Sequence, residues 1–467
     1  RRTQVRRPLF FLLNATPKSL VTTDLSCAAL TITLRPLYGQ SFGDASMAWE
    51  KLAPSRRNAL VPLVALSAIW IAVVITGARL TNFDEPYLPF AIAGGLAFFL
   101  RGAPSRWEIY AWLSISVIFV KVVQLSQIPF WVLRVASGFA VLGFAALLLL
   151  GLRAVWSERE GRENALALLL PSLVLVFFIF VSGNALRLSG GLNPQTDDAW
   201  LYAFDGSLGF QPSFFMGRIM YGSIVLTRCA MLTYLSLPFA MAVVCAAQIQ
   251  RGARKISWHM LIVLLLAGVA GWLLYNVVPA TGPIYAFGRD FPWGGLSYKD
   301  LSTFVLQKMS ISTGIPRNGM PSLHVAWVVL LFWNSRSLPR VLRAALLLYV
   351  LLTVFATLGS GQHYLVDLVV SLPFALAVQA GATFALPSPS RRTAGIIAGT
   401  ALTILWLLEV RFGVSFALTS PLVPWSLIVL TASITFWIES RMAKGTANTV
   451  SHEDKLVAQP KLAASVR

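Results

Sequence analysis

Twelve apolar runs constrain this chain more than any other feature. They lie near residues 59–78, 87–100, 107–125, 130–152, 164–186, 219–247, 258–278, 321–334, 341–358, 365–385, 394–410 and 422–440. A helix needs about 20 apolar residues to cross a hydrocarbon core, and all but 87–100 and 321–334 come close to that length. Charged residues make up 12% of the 467, half the roughly 25% of a soluble domain. Too little charge remains to cover a water-facing surface, so the expected fold is all-α: a polytopic integral membrane protein with about twelve transmembrane helices and the bilayer as its main partner. The net charge of +19 does not point to nucleic acid, because the basic residues stand singly or in short clusters between apolar runs. In a membrane protein such clusters mark cytoplasmic loops.

Alternate loops differ in lysine and arginine. One set, including Lys51, Arg56 and Arg57, Arg153, Arg159 and Arg162, and Arg336, Arg340 and Arg343, holds sixteen over short loops. The other, including Arg79, Arg187, Arg218, Arg289, Lys308, Arg317 and Arg411, holds eight over longer ones. The first set is therefore expected in the cytoplasm with both termini, and the long loops 187–218 and 279–320 outside, in an inner (plasma) membrane. The first methionine is Met47, so residues 1–46 are expected to be a non-native or disordered extension. Residues 47–163 then form N-terminal transmembrane helices, 386–440 two C-terminal ones and 441–467 a cytoplasmic tail. Cys27, Cys229 and Cys245 do not form a disulfide framework; two of the three sit inside one apolar run.

The polar residues are informative because they are scarce. Of four histidines, His259 lies at a cytoplasmic helix end and His452 in the tail. His324, in "RNGMPSLHVAW", and His363, in "GSGQHYLVD", each open an apolar run on the outer side. Asp367 follows His363 by four residues, one helical turn, so its carboxylate can reach the imidazole. Ionisable groups at membrane depth are costly and are functional candidates. Helix N-termini suit a phosphate; Pro321 fits a first-turn position, and Gly359, Ser360 and Gly361 leave room for close approach to the backbone. A histidine paired with a carboxylate is a nucleophile held in one tautomer, and a second histidine can protonate a departing alkoxide.

"GMPSLH" (319–324) and "GSGQHYLVD" (359–367) resemble the second and third signature motifs of the type-2 phosphatidic acid phosphatase superfamily. The resemblance implies a six-helix lipid phosphatase or phosphotransferase core over 164–385, with a lipid phosphate as substrate and neither metal nor cofactor. It implies that His363 attacks phosphorus to form a phosphohistidine, that Asp367 orients it, and that His324 is the general acid. The first motif departs from the family: in "YNVVPATGP" (275–283) Tyr275 stands for the usual lysine and Gly282 for the arginine. The third lacks its opening Ser-Arg, where Ala356 and Thr357 stand. The loss of these charges resembles the inositolphosphorylceramide synthase-like branch.

Arg317 is the candidate replacement charge; Ser322, Gly361 and Tyr275 are further candidates for the substrate phosphate. Arg228, about nine residues into the sixth run, is expected to pair with an acid or that phosphate. "QTDDAWLYAFDGSLGF" (195–210) alternates acids with aromatics and reads as an interfacial segment. Two other readings are a secondary transporter and a catalytically silent family member. No echo of either histidine motif occurs in 59–186, as a carrier built of two similar halves would show.

Overall fold

The structure, a computed structural model, describes residues 87–125, 131–250, 254–296, 300–382 and 389–463. The first apolar run, the extension 1–46, Cys27 and the earliest loop charges lie outside the described residues, as does the side chain of His452 in the tail.

Helices α1 (Leu88–Ala93) and α2 (Gly95–Arg101) are one apolar stretch broken at Gly94. They are followed by α3 (Arg106–Leu125), α4 (Trp131–Trp156) and α5 (Arg159–Leu192). At 1.5 Å per residue the 34 residues of α5 reach about 50 Å, well beyond a hydrocarbon core of about 30 Å. A short strand β1 (Gln195–Thr196) leads into α6 (Asp198–Ser207) and α7 (Pro212–Tyr221). Helices α8 (Ile224–Leu235) and α9 (Leu237–Gln250) form a single apolar path bent by 54°. Then come α10 (Arg254–Tyr275), the single turn α11 (Pro283–Ala286) and strand β2 (Met309–Ser310), antiparallel to β1. The chain closes with α12 (Leu323–Asn334), α13 (Arg340–Gly359), α14 (Leu365–Ala382), α15 (Pro389–Leu408), a π-helical turn Glu409–Gly413, α16 (Val414–Ala417) and the long α17 (Leu422–Ala463).

Six helices among the described residues are long and apolar enough to cross a membrane, or seven if the bent pair counts as one span. About twelve were expected. Part of the difference lies in runs that fold as shorter pieces: 87–100 is the broken α1–α2 pair and 321–334 yields the 12-residue α12; the run 59–78 lies outside the described residues. These apolar helices nonetheless suggest a membrane protein. The pattern of exposure agrees: α13 turns Leu347, Leu348, Leu351 and Leu352 outward, apolar residues that suit lipid and would be costly in water.

Helix α14 is the innermost, packed on α10, α12, α15 and α17. Its face toward α15 is closed by Gly399, where a Cβ would come within 2.5 Å of the Ala377 nitrogen. The main core runs from α1 and α2 through α4, α5, α9 and α10 to α12 and α14. A second apolar cluster joins α6 to Tyr364, Val366 and Trp406 at the end of the bundle where α14 begins. The connecting segments with β1, β2, α6 and α11 gather at that same end.

Candidate active site

The two histidine motifs meet there. Met320–Pro321 is a cis peptide, and α12 starts only at Leu323 with Ser322 as its N-cap, so Pro321 precedes the helix and does not fill its first turn. Two bonds cross between the motifs, and a third within α14 shares their partners. The Ser322 N–H donates to the Asp367 carbonyl at 3.1 Å, and the Ser371 hydroxyl bridges the Ser322 and Asp367 carbonyls at 2.8 Å each. Gly319 packs so closely on Ala280 that a Cβ would come within 2.5 Å of the alanine methyl.

This packing sets the chemistry of His363. Its Nδ1 lies 2.9 Å from the Gly319 carbonyl and 3.4 Å from Asp367 Oδ2. A carbonyl only accepts, so Nδ1 carries the proton and Nε2 keeps its lone pair. Asp367 Oδ2 also accepts the Tyr364 N–H at 2.9 Å, which fixes the carboxylate in the first turn of α14. The ring of His324 lies 6.5 Å from that of His363, centroid to centroid. It is held by aromatics: Tyr234 stacks on it at 3.8 Å, with Tyr87 at 5.4 Å and Trp327 at 6.4 Å. An apolar cavity of about 240 Å³ opens beside it, lined by Phe178, Tyr275, Asn318, His324 and Trp327 among others. Three buried oxygens around this point have no protein partner: Asn318 Oδ1, Ser322 Oγ and Asp367 Oδ1. Unpartnered buried polar atoms are costly, and all three belong to the two histidine motifs and the residue next to them.

The other sequence candidates divide. Ser322 and Tyr275 belong to the site, the first by its free hydroxyl and the second on the cavity wall. Arg317 does not. It is fully buried, and its guanidinium donates to the carbonyls of Asn193, Pro194, Ile311, Ser312 and Ile315. All five N–H groups of the fork are used, so it clamps the β1 and β2 segments and has no donor left for a phosphate. Arg228 lies on the exposed face of α8, six residues before Tyr234 and so about 240° around the helix from the residue that stacks on His324. Gly361 forms the turn: its φ is +73°, and a Cβ would meet the Phe291 ring at 2.7 Å. Its N–H goes to Leu358, not outward to a ligand.

The start of α14 is likewise not an open phosphate cradle. Asp205 accepts the Leu365 and Val366 N–H groups at 2.6 and 3.0 Å. Asp198 accepts the N–H groups of Thr281 and Gly282, the Thr281 hydroxyl and the Tyr364 hydroxyl. The stretch expected to be interfacial thus supplies buried carboxylates that anchor both site loops. Burial pushes the Asp205 carboxyl up to about 8, against the downward pull of its two N–H bonds; burial also raises Asp198. Their rarity in so apolar a chain was the signal for this role. Gly282 explains why no arginine stands there: its φ is +91°, and any Cβ would run into the Gln362 carbonyl.

Residues 199–381 match the family model of the PAP2 superfamily. The match takes in both histidine motifs and supports the resemblance to that superfamily. No curated protein and no solved structure matches the chain.

Proposed function

We propose that the chain is a metal-independent membrane phosphotransferase or phosphohydrolase that takes a lipid phosphate at the outer membrane face through a phosphohistidine on His363. The observation that carries the reading is the Nδ1–H of His363 directed at the Gly319 carbonyl beside Asp367, which leaves Nε2 as the nucleophile. Nε2 attacks phosphorus, the bond from phosphorus to the leaving oxygen breaks, and protonated His324 gives its proton to that oxygen. Neutral His324 then removes a proton from the acceptor, water or a hydroxyl, whose oxygen attacks phosphorus as the P–N bond breaks. Asp367 keeps the tautomer and balances the developing imidazolium. The Ser322 hydroxyl and the Tyr275 side chain serve the phosphate, and the apolar cavity takes the start of a lipid chain.

No lysine or arginine is among the residues that line this cavity. A singly charged phosphodiester suits such neutral surroundings better than a doubly charged monoester, because burying each uncompensated charge is costly. This favours transfer from a phospholipid to a hydroxyl, as in the inositolphosphorylceramide synthase-like branch, over simple removal of phosphate.

The test separates the two histidines. On a lipid substrate His324→Ala should lose about 10²–10⁴-fold, the usual contribution of a general acid. With a nitrophenolate leaving group, which needs no proton, it should regain most of its rate. His363→Ala should stay inactive on both. Wild-type turnover by His363→Ala on every lipid phosphate tried would sink the phosphohistidine route and favour the transporter reading.

A further inference from the structure

A second cleft lies at the same end of the bundle, apart from the histidines. It encloses about 320 Å³ between the β1–α6 segment, the end of α10 and the π-helical turn that follows α15; its lining includes Asp197, Trp200, Lys308, Leu408, Arg411 and Phe412. Two cations share one carboxylate oxygen: Arg411 Nη1 is 3.3 Å and Lys308 Nζ 3.9 Å from Asp197 Oδ1. The carboxylate is buried, whereas the cations are 42% and 43% exposed, so the accessible part of the cleft carries an excess positive charge. Glu409, in the same π-helical turn, is not among the lining residues. The Arg411 guanidinium carbon lies over the Trp200 ring, 4.3 Å from its centroid, a cation–π contact that holds the side chain at the cleft. π-Helical turns inside longer helices are frequent at functional sites.

From this geometry we infer that the cleft binds the phosphate of an anionic phospholipid headgroup through Lys308 and Arg411. The position selects a lipid over free phosphate. Arg411 stands near the end of the apolar stretch Pro389–Ala417, and Leu408, Phe412 and Val277 beside it are 49%, 75% and 62% exposed. Cations next to such apolar surface hold a headgroup while the chains lie along the helix. The inference does not rest on catalysis at His363. Asp197 is joined to the site through the backbone, its N–H donating to the Pro279 carbonyl beside the Thr281–Asp198 anchor.

The full chain, purified in detergent and stripped of lipid, is titrated with phosphatidylglycerol or phosphatidylcholine, and bound lipid is counted by native mass spectrometry. One phosphatidylglycerol per chain should persist where phosphatidylcholine is lost, and inorganic phosphate at equal concentration should not displace it. At about 1 kcal/mol per basic residue near an anionic headgroup, Lys308→Ala should weaken binding about fivefold and Lys308→Ala with Arg411→Ala about 25-fold, while Lys308→Arg holds it. Equal retention of the two lipids, displacement by phosphate, or unchanged affinity in the folded double variant would each overturn the inference. If the double variant does not fold, unchanged affinity in Lys308→Ala, which is exposed and makes only the long contact, does so alone.

Discussion

The residue that most changes its meaning between sequence and structure is Arg317. A lone arginine four residues before "PSLH" reads as a phosphate ligand, because that is what a cation near a phosphoryl-transfer motif usually offers. In the fold it spends all five donors on backbone carbonyls, of which those of Pro194 and Ser312 also accept an N–H. Arg317→Ala should therefore act on stability, by roughly 3 kcal/mol, as expected when buried acceptors lose a charged donor. A thermal melt should show the loss, while KM for lipid in the protein that remains folded stays near wild type. A KM raised tenfold with an unchanged melting temperature would return Arg317 to the phosphate. The histidines behave oppositely: as candidates they were legible, because a histidine four residues from an aspartate has few uses at membrane depth. The tautomer was not legible, since it depends on the Gly319 carbonyl 44 residues away.

At the scale of elements, α6 and α14 show how the site is held. Helix α14 is innermost, yet its first turn would expose N–H groups at the loop that carries His363. Asp205, from α6, covers two of them, and Asp367 covers a third. The Asp205 carboxyl sits at about 8 when folded and near 3.9 when unfolded. Between those values the folded state holds the extra proton, so this group's contribution to stability falls as pH rises from about 4 to about 8. Asp205→Asn should lower the melting temperature at every pH, because an amide offers one acceptor to two N–H groups. It should also flatten the decline across that window. A decline of the same slope in Asp205→Asn would show that other groups produce it. Gly361 belongs to the same device: its positive φ and the Phe291 ring against it fix the turn that delivers His363 to Gly319.

At the scale of the molecule, the site loops, both short strands and the lipid cleft lie at one end, and the Arg336–Glu439 and Arg153–Glu108 pairs with the clustered arginines lie toward the other. From the loop charge bias the first end is expected to face outward. With Cys229, which is exposed, replaced by serine, Trp293→Cys and Val305→Cys should react with an impermeant thiol reagent in intact cells. Arg340→Cys should react only after permeabilisation. The reverse pattern would invert the topology and move the site to the cytoplasm.

The sequence by itself determined that this is an apolar all-α chain, which histidines and aspartate converge, and the superfamily they resemble. Those properties follow from local composition and from spacings of a few residues, where period and cost of burial leave little choice. It did not determine how many runs span, since a run of apolar residues is compatible with a full helix, a bent pair or two short pieces. It did not determine the partners of Arg317, Asp198 and Asp205 either. Each of those side chains answers to backbone groups contributed by other segments: Arg317 to carbonyls of Asn193 and Pro194, Asp198 to N–H groups of Thr281 and Gly282, Asp205 to those of Leu365 and Val366. A buried charge takes whichever unpaired backbone groups the packing of helices brings within 3 Å, and that packing exists only in three dimensions.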